Sequence, residues 1–160
     1  MKTKLNFTKI LIALAILFVI IQLFRIDKNN PETDPSKDFL TVTNPPAEVA
    51  AILNNACYDC HSNSTVYPWY TNISPVSWWI KNHVNEGREE LNFSVWDTYP
   101  SRKKDHKMEE AVEMVEEKEM PLESYTWTHG NSNLSPEQRE KLTAFFNSLR
   151  THESDKPERE

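Results

Sequence analysis

The sequence predicts an all-α protein: a helical domain preceded by one separate apolar helix at the N-terminus. Three observations point there. Beyond position 46 the apolar residues recur at helical spacing, strand signals are weak throughout, and two glycines in 160 residues leave few tight turns. Four or five helices with long connections are expected after the N-terminal one.

The first element is the apolar run at residues 10–24, ILIALAILFVIIQLF, 15 residues interrupted only by Gln22. That is shorter than the ~18 residues of a membrane span, and extension from Leu5 to Ile26 reaches spanning length if Lys9 and Arg25 snorkel. Lys2, Lys4 and Lys9 would also suit a secretory signal, but no small-residue cleavage site follows in QLFRIDKNN. Residues 1–27 therefore read as an uncleaved membrane anchor. The basic residues ahead of the run hold the N-terminus in the cytoplasm and send the bulk of the chain outward.

The anchor and its flank also distort the charge balance. Residues 1–28 hold five of the 18 basic and one of the 24 acidic residues, so the remainder has 13 basic against 23 acidic and a formal charge of −10. Phosphate binding needs clustered Lys and Arg, so nucleic acid is not an expected partner. A basic docking face on another protein is, although charge for solubility alone gives the same composition.

Residues 28–44 are proline-rich with little apolar periodicity and read as a tether. The domain proper is expected at 45–151. Its first helix lies in AEVAAILNNACYDCH, with Val49, Ile52, Leu53 and Ala56 at helix spacing. An aromatic stretch follows in which Pro68 and Pro75 break any long helix, and SWWIKNHV begins a short one. A further helix runs through KKDHKMEEAVEMVEEKEM with Met108, Ala111, Val112 and Val115 on one face, ended by Pro121. The last helix is signalled by Ser135, Pro136 and Gln138, a capping box with proline in the first turn, and by an apolar stripe of Leu142, Phe145, Phe146 and Leu149. Residues 152–160 read as a charged, disordered tail.

The chemistry concentrates in NACYDCHSN. Cys57 and Cys60 are the only cysteines, and His61 follows directly. On a helix, positions i, i+3 and i+4 share a face. Two thiols so placed can add to the two vinyl groups of a haem while the imidazole coordinates its iron, which is why C-x-x-C-H reads as a c-type attachment site. Three alternatives stand beside it. A redox dithiol normally sits in a βαβ context, absent here. A structural zinc needs four ligands and would have to recruit scattered histidines, and a disulfide across two residues closes almost no loop.

A sixth iron ligand would come from Met108, Met114, Met120 or a histidine. Met108 lies on the apolar face of its helix, and Met114 sits among charges. Met120 ends a helix and precedes Pro121, where the chain can cross a haem; a thioether there suits an electron-transfer iron. His83, His106 and His129 are the candidates for a bis-His site. The proximal imidazole should donate its free N–H to a carbonyl, with Pro68 and Pro75 within loop distance. Trp69, Trp78 and Trp79 are candidate haem-lining residues or ordinary aromatic core, and Arg88 either pairs with a propionate or is a solvated surface residue.

Taken together, ACYDCHSN, YPWY, ISPVSWWI, NEGREELNFSVW, EMPLESYTWTH and LSPEQREKLTAFF resemble the bacterial haem-binding domain family of membrane-anchored, c-type cytochrome-like proteins, over roughly residues 44–150. The resemblance implies a small cytochrome c-like helical fold around one covalent haem c. Cys57 and Cys60 would form the thioethers and His61 the proximal iron ligand. The Met120–Pro121 pair is similar to the distal-ligand segment of many small cytochromes c. The terminal helix with Phe145 and Phe146 looks like the one that packs across the N-terminal helix in that fold. The segment between His61 and Met120 departs from the common small cytochromes in its tryptophans and charges. The expected function is electron transfer with redox partner proteins, on the periplasmic side of the inner membrane. The alternative is an open-site haem protein, peroxidase-like or a gas or redox sensor, with His106 or His129 as a distal acid–base group.

Overall fold

The computed structural model describes residues 7–154, with side chains as far as Arg150; among the described residues there is no β-strand. Among the described residues eight α-helices follow one another: α1 (Phe7–Ile21), α2 (Phe39–Thr43), α3 (Ala47–Ala56), α4 (Tyr58–His61), α5 (Val76–Glu90), α6 (Ser101–Glu116), α7 (Glu123–Thr126) and α8 (Pro136–Ser154). Short 3-10 segments occupy Pro35–Lys37, Trp69–Asn72, Phe93–Thr98 (kinked at Val95) and Gly130–Ser132. The all-α expectation holds, and the apolar stripes fall where the spacing puts them.

The N-terminal run forms a helix shorter than the Leu5–Ile26 extension. Over its 15 described residues α1 is about 22 Å long, against about 30 Å of bilayer hydrocarbon. Among the described residues no helix is long and apolar enough to cross a membrane. The helix tightens at its end, where the N–H groups of Gln22, Leu23 and Phe24 donate three residues back to Val19, Ile20 and Ile21. The Gln22 amide then turns to the domain: its Nε2 donates to Ser74 O (3.0 Å) and its Oε1 accepts from Ser74 N–H (2.9 Å). Leu5 and the lysines at 2 and 4 lie outside the described residues. So does the end of the expected tail, of which the backbone is helical as far as Ser154.

The segment 28–44 is built into the domain rather than strung between two parts. Asp34 and Asp38 cap successive turns by accepting from Ser36 N–H and Leu40 N–H. Phe39 then enters the core with no exposed surface. Its ring meets Phe93 and Trp96, each at 4.9 Å between centroids, and Phe146 at 6.2 Å. Asn44 ends α2 in the left-handed region (φ 45), a conformation asparagine tolerates. Polar composition and prolines concealed a single buried anchor.

The core is one cluster drawn from α2, α3, the 93–98 turn, α6 and α8. Val49, Ile52, Leu53 and Ala56 of α3, Met108, Val112 and Val115 of α6, and Leu142 and Phe146 of α8 are all buried. Helix α8 lies along α6 and also touches α3. Its start is the capping box read from sequence: Ser135 N–H donates to Gln138 Oε1 (2.9 Å) and Gln138 N–H donates to Ser135 Oγ (3.2 Å). Two helix limits differ from expectation. Helix α5 is a full 15 residues, and α6 stops at Glu116, before Pro121, with Lys118 in the left-handed region (φ 65). Arg139 of α8 gathers the carbonyls freed there, donating to Val115 O (2.9 Å) and Met120 O (2.7 Å).

Because Phe39 is fully buried and large, Phe39→Ala should cost about 3–5 kcal/mol of stability. A denaturant titration followed by helical circular dichroism checks this. A loss near zero would mean that the segment before residue 45 is a tether after all.

Candidate functional site

The helix predicted through AEVAAILNNACYDCH kinks at Cys57 (φ −126, ψ −42), which separates α3 from α4. The N–H groups of Cys60 and His61 both return to Cys57 O, so the motif forms one compact turn. Both thiols are free and half-buried. Burial pushes the Cys57 thiol up to about 12 and the Cys60 thiol up to about 11, so both stay protonated at neutral pH.

Helix α5 fixes this turn in place. A Cβ added at Gly87 would lie 2.8 Å from Cys60 O and 3.1 Å from Cys60 Cβ, so only glycine allows the two backbones this close. One turn further along, the chain leaves α5 at Leu91, whose carbonyl lies 3.0 Å from His61 Nδ1. Expectation had named the carbonyls of Pro68 or Pro75; the acceptor is Leu91, because α5 and not the preceding loop backs the histidine. The Nδ1–H donates, and the Nε2 lone pair is left for a metal. Burial lowers the His61 pKa, which keeps the ring in the neutral form a metal needs.

Arg88 belongs to the same support. It donates from Nε to Ser62 O (2.7 Å) and from Nη2 to Thr65 Oγ1 (2.8 Å) and Asn30 Oδ1 (2.7 Å). It is thus neither a free surface arginine nor held open for a propionate, but a clamp on the loop after His61. Asp59, inside the motif, was not singled out by sequence reasoning. Its carboxylate accepts from Val66 N–H (3.1 Å) and from the Tyr125 hydroxyl (2.8 Å), which joins the two walls beside the cysteines. Burial raises the Tyr125 pKa, so it remains a phenol that donates. No short-range sequence signal links residues 66 apart.

Between those walls lies a cavity of about 390 Å³, within the range of cofactor sites. Cys60, Tyr67, Trp69, Trp79, Leu122 and Trp127 are among the residues lining it. Of the expected aromatic residues Trp69 and Trp79 face it, whereas Trp78 donates its indole N–H to Phe24 O (2.8 Å) and Trp127 had gone unnoticed. His83 and His129 also line the cavity. His83 Nδ1 is 2.9 Å from Trp79 O, and the His129 ring stacks on Tyr125 at 4.0 Å. His106 is elsewhere, exposed on α6 beside Glu109 and Glu110. Met108 is core, as its spacing implied. Met120 packs against the hydrophobic core, as Cys57 does, and is not among the cavity-lining residues.

This donor set tests a haem on its own terms. Among the described residues no group of three or more His, Cys, Asp and Glu side chains converges on a bare metal ion. An iron held at His61 would take its other ligands from a bound ring or from sulfur. Two free thiols at i and i+3 and an imidazole oriented by a carbonyl suit that chemistry, and of the three Cys60 lines the aromatic cavity, whereas Cys57 packs against the core and His61 is not among the lining residues.

Gly87→Ala should force α5 and α4 apart, costing about 1–3 kcal/mol and lowering haem content. Chemical denaturation and the haem-to-protein absorbance ratio check both. An unchanged ratio would show that the close approach does not shape the site.

No curated protein and no solved structure matches the chain. A family model described as the haem-binding domain matches residues 16–148, from inside α1 to near the end of the described side chains in α8. With the oriented imidazole, the paired thiols and the aromatic cavity inside that span, the chain belongs to the haem-binding domain family.

Proposed function

We propose that this protein is a membrane-tethered electron-transfer protein with one covalently attached haem. The observation that carries the reading is the His61 Nδ1–Leu91 O hydrogen bond on a turn that also bears Cys57 and Cys60. It fixes the tautomer and points the reading to Nε2 as the proximal iron ligand, with the two thiols as thioether donors. The bound group would supply one-electron exchange between ferrous and ferric iron. The chain's part is to hold the ring through two sulfurs, orient one imidazole, and exclude water with the aromatic wall.

Met120 would supply the second protein ligand to the iron in this reading. It sits with Cys57 at the edge of one core cluster, and Arg139 holds its carbonyl. A thioether there would serve as a soft ligand that raises the potential of a bound haem. A second reading has a specific observation in its favour. His83 and His129 line the cavity beside Cys60. An open-site protein, peroxidase-like or gas-sensing, would use His129 as a distal acid–base group, and a bis-His carrier would use either ring as ligand.

The tether is the apolar N-terminal segment that includes α1, with the haem domain on the periplasmic side of the inner membrane. The acidic remainder favours a redox partner with a basic docking face.

Intact-mass measurement of the chain, produced with haem-maturation machinery, should show a gain of one haem, lost in the double variant Cys57→Ser, Cys60→Ser. Its ferric spectrum should carry the weak long-wavelength band of sulfur–iron ligation, absent in Met120→Ala. A band that survives Met120→Ala removes Met120 from the iron. High-spin features that shift with cyanide would select the open-site reading.

A further inference from the structure

Four tryptophans lie at or beside the cavity, and none of them is buried. Trp69 and Trp127 are each 74% exposed, Trp79 49% and Trp78 39%, whereas the core residue Trp96 is 3% exposed. Indole has a broad apolar ring and one N–H donor, the combination enriched where a bilayer meets water. Charge follows the same division. Residues 66–81 contain no acidic residue and a single lysine, Lys81, while residues 101–119 contain seven acidic and five basic residues. The 66–81 stretch of the rim would not be repelled by anionic lipid headgroups.

The N-terminal segment decides which way this rim faces. The side chains of α1 are exposed and apolar along almost its whole length. Its end is bonded to the rim, not joined through a loose linker. Gln22 pairs twice with the Ser74 backbone, Trp78 Nε1 donates to Phe24 O (2.8 Å), and Lys28 Nζ donates to Asn72 Oδ1 (2.8 Å). All of these contacts fall on residues 72–78, between Trp69 and Trp79. A helix that enters the bilayer therefore delivers the tryptophan rim to its surface in one orientation.

We infer that the tryptophan rim lies in the lipid interface, so that the cavity beside Cys60 opens toward the membrane that α1 enters. The inference rests on the tether reading above and adds an orientation to it. The occupant of the face is lipid, because the exposed apolar helix α1 runs into the segment bonded to it and residues 66–81 of the rim hold no acidic residue.

The test uses the full, haem-loaded chain on vesicles of phosphatidylcholine and phosphatidylglycerol containing a phosphatidylcholine with a photoreactive diazirine high on its acyl chain. After flotation and illumination, lipid adducts are mapped by peptide mass spectrometry. Adducts are expected on the peptides carrying Trp69 and Trp127 as well as on α1, with none on residues 101–119. In the double variant Gln22→Ala, Trp78→Phe the rim adducts should fall several-fold while those on α1 persist. Adducts confined to α1 in a chain that floats would overturn the orientation and leave the tether standing. Rim adducts unaffected by the double variant would overturn the clamp as its cause. A chain that does not float overturns the tether, and the orientation with it.

Discussion

The distance between α5 and the Cys-x-x-Cys-His turn governs the rest of the site. At Gly87 the helix backbone rests against the carbonyl and Cβ of Cys60, closer than any side chain permits. Because a helix is stiff over one turn, that contact also sets where Leu91 sits, and Leu91 O is what orients His61. Arg88, between them, ties the loop that leaves the histidine. Three neighbouring residues of one helix end thus perform separate tasks: close approach, loop clamping and imidazole orientation. Longer side chains at the first would displace the other two together.

The N-terminal third has a role that composition hides. Phe39 fills the centre of the core, and Asp38, its neighbour, accepts from the Tyr58 hydroxyl inside the motif turn (2.8 Å). Tyr58 in turn stacks on Phe93 at 5.2 Å. The residues before 45 therefore support the cysteines from one side while α5 supports them from the other. The family match beginning at residue 16 agrees with a domain that includes this segment. A core of modest size gains from such additions, since small helical domains bury a limited share of their surface.

Long-range polar ties complete the frame. Asp59 links the motif to Tyr125 and Val66 on the two sides of the cavity. Arg139 links the last helix to the turn that carries Met120. Asn92 and Asn63 join side chain to side chain at 2.8 Å, while Asn63 N–H donates to Ser94 Oγ, which satisfies the buried loop after His61. These bonds use charged or buried partners, where one lost partner costs most.

The helix class, the capping box at Ser135 and Gln138, the buried stripe of Met108, Val112 and Val115, and the thiol–thiol–imidazole turn were all legible in the chain itself. Each depends on residues three or four apart, the range over which helix geometry acts alone. The kink at Cys57, the burial of Phe39, the choice of Leu91 as His61 acceptor and the clamp role of Arg88 were not legible. Those depend on partners tens of residues away, brought together by packing. The same division separates Met120 from His83 and His129. Local sequence marked Met120 by its proline and helix end, whereas only the folded chain put the two histidines on the cavity wall and Met120 against the core, because which side chain faces a void is decided by the elements that enclose it.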